Sequence, residues 1–266
     1  MMKENSQRRP VPKEKIIPLK RDTKKIDFTK KYKLIYFDWW FELLILPFRL
    51  ICYLAAVLCA VYFSLRVTGR ERLHILRKRG CIVIANHCHY FDTIFANYTL
   101  FPHRLYTAVV QRNFEVPIVR RILRYLRAFP IPKGSAGLKM ITKPVGEALR
   151  RGHHVLVMPE GELCLMSQEI FHFKPGAFYL AYYHQSPVLP IVYVLTKRTR
   201  NGVEKNPSRP RFHQVIGDPL YPPPLSPDGA LPQKELAEMA TKAAQWMEDT
   251  ISLYQAEAAS RGEAQA

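Results

Sequence analysis

Several catalytic signatures are missing from this chain of 266 residues. It lacks the G-x-S-x-G elbow of a serine hydrolase and the G-x-x-x-x-G-K-[S/T] loop of an NTPase, which argues against both classes. It has no C-x2-C pair. Its five cysteines (Cys52, Cys59, Cys81, Cys88 and Cys164) are scattered through apolar segments and read as reduced thiols in a cytosolic setting. His87, Cys88 and His89 are adjacent, so their side chains diverge too far for a standard zinc site; no metal is expected. A Cys88 nucleophile is an alternative with nothing else in the chain behind it. Acidic residues are scarce, 22 against 40 Lys and Arg, for a formal charge of +18. So basic a chain suits an anionic partner, and without any nucleic-acid-binding motif a lipid surface is favoured over nucleic acid, with a solubilising charge that has no specific partner as the alternative. No internal repeat is present.

Charge and hydropathy divide what remains. Residues 1–33 hold 12 Lys and Arg against 4 Asp and Glu and almost nothing apolar. They read as a disordered tail, attracted to anionic lipid by about 1 kcal/mol per basic residue near the surface. Residues 34–65 are apolar and aromatic, interrupted by Asp38, Glu42, Pro47 and Arg49. Pro47 should divide them into two helices. The charge-free stretch from Leu50 to Leu65 would be about 24 Å long as a helix, short of a bilayer core of roughly 30 Å. Basic residues flank both sides, with Arg66, Arg70, Arg72, Arg77, Lys78 and Arg79 following, which favours both ends on the cytoplasmic face. The expectation is a membrane-associated helical hairpin dipping into one leaflet, with a single span as the alternative. A signal peptide is excluded, because the apolar segment starts too late and runs too long.

Residues 66–220 alternate strand and helix patterns. Ile82–Ala85, Leu105–Val110, Ala128–Pro132, Val155–Met158 and Val188–Leu195 read as buried strands, with Ile118–Leu126, Leu138–Arg151 and Ala177–His184 as helices packing between them. Arg211–Ile216 reads as a late edge strand and Thr196–Pro210 as a loop. The class is α/β, a mostly parallel central sheet flanked by helices. Residues 221–266 form a proline-rich connector and an amphipathic helix over Glu235–Ala256.

The most informative segment is Ile82-Val83-Ile84-Ala85-Asn86-His87-Cys88-His89-Tyr90-Phe91-Asp92. Five residues apart, His87 and Asp92 would stand roughly 16 Å apart on a strand and about 140° apart on a helix. They meet only if the chain turns between them, as it does where a strand runs into a helix start. A histidine oriented by a carboxylate is a general base able to activate a hydroxyl. A second His-x4-Asp pair, His213 and Asp218, lies in an alternating strand pattern that holds its side chains apart, so His213 reads as structural.

Further blocks follow in order. Pro159-Glu160-Gly161 comes after an apolar strand, Phe173-Lys174-Pro175-Gly176-Ala177-Phe178 opens a helix, and Pro187-Val188-Leu189-Pro190-Ile191 starts another apolar run. Together with His87 and Asp92, these resemble the glycerolipid acyltransferase family, whose best-known members are the 1-acyl-glycerol-3-phosphate acyltransferases, over about residues 66 to 220. The resemblance implies O-acyl transfer in phospholipid biosynthesis, from acyl-CoA or acyl carrier protein to a lysoglycerolipid hydroxyl, with no further cofactor. It implies His87 and Asp92 as the catalytic pair, and Asn86, Lys133, Glu160 and Gly161 around the acceptor. Two departures stand out. Glu162 and Leu163 replace the family's usual Thr or Ser and Arg, and Lys133 replaces an arginine at the end of Phe129–Lys133. Lysine holds a phosphate as a point charge, without the bidentate fork of arginine. A different lyso-lipid acceptor, or a non-catalytic lipid-binding protein of the same fold, is the alternative.

Overall fold

The computed structural model describes residues 5–12, 33–131, 134–200 and 203–260. A short 3-10 turn, Asn5–Gln7, is followed by α1 (Trp39–Leu44), α2 (Leu46–Tyr62) and β1 (Arg66–Thr68). Next come a 3-10 stretch (Arg70–Lys78), β2 (Ile82–Ala85), α3 (Asp92–Leu100), β3 (Leu105–Val110), α4 (Gln111–Phe114), α5 (Pro117–Tyr125) and β4 (Ala128–Ile131). The chain continues with α6 (Gly134–Arg150), β5 (His154–Val157), α7 (Gly176–Tyr183), β6 (Val188–Thr196), β7 (Thr199–Arg200), β8 (Val203–Glu204), β9 (Arg211–Ile216) and α8 (Gln233–Ser260).

Among the described residues, seven strands form one sheet in the order β1-β9-β6-β2-β5-β3-β4, parallel throughout except where β9 runs against β6. Every residue of β2, β5 and β6 is buried, as expected of strands covered on both faces. The chain moves outward from β2 through β3 to β4, then returns through β5 to β6. Right-handed crossovers made in opposite directions deposit their helices on opposite faces. Accordingly Phe95, Ala96 and Leu100 of α3 share one apolar cluster with Ala60 and Phe63, whereas α6, α7 and α8 fill the other. β2 and β5 are neighbours whose following helices lie on opposite faces. Their carboxyl ends therefore flank a topological switch point, where α/β sheets open a ligand crevice.

Four expectations need correction. The expected edge strand, β9, is internal, because Arg66–Thr68 pairs along its outer side as β1. Residues 5–12 of the expected disordered tail are packed against the domain. Asn5 accepts from the Phe173 amide at 2.8 Å and donates to its carbonyl at 2.9 Å, and the buried Arg8 bonds Glu248 on α8 at 3.0 and 3.1 Å. Residues 13–32 lie outside the described residues. The apolar segment does divide beside Pro47, but at Ile45, and helical hydrogen bonds run into and out of that residue (Ile45 N to Phe41 O, 3.1 Å; Arg49 N to Ile45 O, 3.0 Å). That is a bend in a helical path, not the reversal a hairpin requires. Lastly, α5 contributes no buried residue, so it is not the core helix its pattern suggested.

α1 is tied down by charge. Glu42 is bonded to both Arg49 and Arg127. Burial alone would raise its carboxyl, but the two guanidinium hydrogen bonds win and hold it at about 2. Outward, α1 and α2 expose Trp39, Trp40, Leu43, Leu50, Leu54 and Leu58. No helix among the described residues is long and apolar enough to cross a membrane.

Candidate active site

β2 delivers its last residue, Ala85, to the carboxyl edge of the sheet, and α3 begins seven residues later at Asp92. The intervening chain folds around the Asp92 carboxylate. Oδ2 accepts from the backbone N–H of Cys88 and of His89, both at 2.8 Å, and from His87 Nδ1 at 3.0 Å. A carboxylate fits here because the first turn of a helix favours negative charge and its neighbouring amides need acceptors. Asp92 is fully buried, whereas a quarter of the His87 side chain is exposed. With Nδ1 on the carboxylate, Nε2 is the ring nitrogen available to a ligand in the crevice.

The loop after β5 closes the other side. Glu160 is buried and accepts from His87 N at 2.9 Å and Phe171 N at 3.1 Å, bridging the two loops at the switch point. Burial pushes its carboxyl up to about 7, against the pull of those two hydrogen bonds. Cys164 N and Met166 N bond the carbonyls of His87 and Cys88 at 3.1 and 2.7 Å, adding two further ties to the same turn. Gly161 has φ +78°, and its α-hydrogen side is filled by the Lys174 side chain, whose ammonium an added Cβ would strike. The Lys174 amide also bonds Pro159 O at 2.8 Å.

Asn86 is buried, its amide closed onto the main chain of Tyr193 in β6: Oδ1 accepts from Tyr193 N at 2.8 Å and Nδ2 donates to Tyr193 O at 3.1 Å. It is a clamp between β2 and β6. Asn86 and Glu160, both expected around the acceptor, thus engage the protein's own backbone. Lys133 lies outside the described residues. Gly161 and Lys174 stand at the open side of the loop.

Two contributors were not legible in the chain. Tyr193, buried in β6, donates its hydroxyl to the Asp92 carbonyl at 2.6 Å and supports the start of α3 from behind. No local pattern distinguishes it from any other strand aromatic. Lys174 lay inside a quoted block, yet only the fold brings its ammonium over Gly161. The Cys88 thiol is buried and pushed far above its ordinary range, first by burial and then by Asp92 and Glu160, so it is held as a thiol and is no nucleophile. His213 does not meet Asp218: it faces Thr196 at 3.4 Å, and Asp218 pairs with Arg72 at 2.6 Å.

The known proteins to which this chain is similar are acyltransferases. The Acyltransferase family model matches residues 64–194, which run from just before β1 into β6. A 1-acyl-sn-glycerol-3-phosphate acyltransferase of Pseudomonas aeruginosa is 24% identical over 230 residues, 85% of this chain and 80% of that protein. The crystal structure of the 1-acyl-sn-glycerophosphate (LPA) acyltransferase PlsC from Thermotoga maritima superposes with a TM-score of 0.49 at 17% identity, covering 74% of this chain and 79% of that one.

Proposed function

The chain is an O-acyltransferase of the glycerolipid acyltransferase family, and from that premise we propose that it acylates lysophosphatidate to phosphatidate, using an acyl thioester of CoA or acyl carrier protein. The observation that carries the reading is the His87–Asp92 contact at 3.0 Å, with a quarter of the His87 side chain left exposed at the carboxyl edge of the sheet. In this mechanism His87 Nε2 takes the proton of the acceptor hydroxyl as the oxygen attacks the thioester carbonyl. The tetrahedral intermediate collapses, the ester C–O bond is kept and the C–S bond breaks. The thiolate leaves as the thiol, carrying the proton from His87. Asp92 holds the ring tautomer and balances the imidazolium, and no acyl-enzyme is needed.

Asn86 and Glu160 act as positioning residues, the first on β2 and β6, the second on the His87 loop. Lys174, with Lys133, supplies positive charge for the acceptor phosphate, and Gly161, lacking a Cβ, leaves room for the Lys174 side chain. The exposed apolar faces of α1 and α2 rest in one leaflet on the cytoplasmic side, where both substrates reside. A non-catalytic lipid-binding protein is the second reading, motivated by Glu162 and Leu163 standing where the family usually carries Thr or Ser and Arg.

Purified protein given acyl-CoA and a panel of lyso-lipids decides between them. Thiol release with lysophosphatidate, well above that of His87→Ala, is expected. If no lyso-lipid raises release above the His87→Ala background, the acyltransfer reading is lost. Because Leu163 leaves one phosphate-binding cation missing, discrimination against other headgroups should be weak. Leu163→Arg should favour lysophosphatidate by about 1–3 kcal/mol in kcat/KM, the size of a charged hydrogen bond. An unchanged acceptor preference would show that other cations already do that job.

A further inference from the structure

α5 turns two isoleucines to the outside. Its sequence, Pro117-Ile-Val-Arg-Arg-Ile-Leu-Arg-Tyr125, places Ile118 and Ile122 one turn apart on the outer side with the exposed Arg121 beside them, and Arg120 and Arg124 on the inner side. A helix of a soluble domain turns such isoleucines to the core. Here no residue of α5 is buried: Ile118 is 74% and Ile122 44% exposed, while Arg120 and Arg124 are half-buried. Leu126, just past its end, is exposed as well. Arg112, Arg120 and Arg121 form no ion pair with a described residue.

This face does not stand alone. Tyr125, the last residue of α5, packs its ring on Phe41 of α1 and Phe48 of α2, at 6.2 and 5.6 Å between centroids, and its carbonyl accepts from Arg49 Nε at 3.0 Å. The exposed apolar surface of α1 and α2 therefore continues onto α5. β4, the strand beside it, is the edge of the sheet among the described residues.

We propose that α5 is a second membrane-contact element, lying in the interface of an anionic bilayer with Ile118, Ile122 and Leu126 among the acyl chains and Arg112 and Arg121 on lipid phosphates. Apolar side chains outside and arginines at the flanks suit an interfacial helix, whose long cationic side chains reach the headgroups along an apolar surface. Two docking elements, α1–α2 and α5, joined through Tyr125 and Arg49, fix the tilt of the domain; a single one leaves it free to pivot. α5 follows β3 through the single turn of α4, and β3 ends at the same carboxyl edge as the His87 loop, so docking α5 governs how that edge faces the lipid.

The proposal rests on the reading that α1 and α2 sit on a membrane, and vesicle binding tests both without any turnover. Full-length protein is titrated with vesicles of phosphatidylcholine alone and of phosphatidylcholine with phosphatidylglycerol. Ile118→Ser/Ile122→Ser should weaken partition onto both kinds at least tenfold, following from the transfer energy of two isoleucines. Arg112→Gln/Arg121→Gln should weaken binding only to the anionic vesicles, by roughly fivefold per arginine, and flatten the salt dependence. Neither variant should shift thermal unfolding, since Ile118, Ile122, Arg112 and Arg121 are all exposed. If both bind like wild type while Leu54→Ser/Leu58→Ser on α2 does not, α5 is off the membrane and the α1–α2 reading survives. If wild type itself ignores both vesicles, the two readings fall together. If gel filtration shows a wild-type dimer that Ile118→Ser/Ile122→Ser makes monomeric, the face belongs to a second copy and the proposal is overturned.

Discussion

Asp92 does two jobs that substitution can separate. Its Oδ2 receives the backbone N–H of Cys88 and His89 and the His87 ring, and the carboxylate itself is fully buried. Asp92→Ala strands two buried backbone donors. At about 1–3 kcal/mol for each unsatisfied group, the loss is about 2–6 kcal/mol, or roughly 5–20 °C in Tm for a chain of this size. Asp92→Asn is different. An amide can turn its carbonyl toward the same two N–H groups and still accept from His87 Nδ1, so the fold should lose no more than about 1 kcal/mol. What vanishes is the negative charge that balances the imidazolium, and kcat should fall about 10²–10⁴-fold. His87→Ala should cost at least as much rate with little loss of Tm, because its ring is partly exposed and only its backbone is tied to Glu160 and Cys164. Thiol release and thermal unfolding, measured side by side on the three variants, give the comparison. Asp92→Asn unfolding as early as Asp92→Ala would refute the hydrogen-bond assignment. Near wild-type turnover in His87→Ala would refute the general base.

Two other predictions concern neighbouring parts of the molecule. Glu42 is depressed to about 2 from an unfolded value of 4.5, so its contribution to stability is present above pH 4.5 and is lost as pH falls from there through 2. The contribution is on the order of 3 kcal/mol. Denaturant unfolding should show wild type losing more stability than Glu42→Gln between pH 5 and roughly 2.5, and equal losses would contradict the ion-pair account. Gly161→Ala must hold an L side chain at φ +78° and displace the Lys174 ammonium, so KM for lysophosphatidate should rise more than kcat falls. A change confined to Tm, with kinetics intact, would remove Lys174 from the acceptor site.

Much of the α/β core could be read directly, because both faces of a parallel sheet are covered and its strands appear as uninterrupted apolar runs. Ile82–Ala85, Leu105–Val110 and Arg211–Ile216 have the boundaries their patterns predicted. The His87–Asp92 encounter was also legible, since only a strand-to-helix turn lets that spacing close. Position within the sheet was not. β9 alternates like a half-covered edge strand, but three residues of β1, too few to show a period, pair along its far side. The bend at Ile45 follows from Pro47, yet whether such a segment bends or reverses depends on what it packs against, here the Glu42–Arg49–Arg127 cluster that joins it to the start of β4. Periodicity showed that α5 has an apolar side and could not say which way it faces, because the same pattern serves a core helix and a helix lying on lipid. Sequence alone thus determined the layers of this protein and the meeting of His87 with Asp92. The tertiary structure decided what Asn86, Glu160, Lys174 and Tyr193 touch, since contacts between residues a hundred positions apart arise only when strand order brings their loops to one edge.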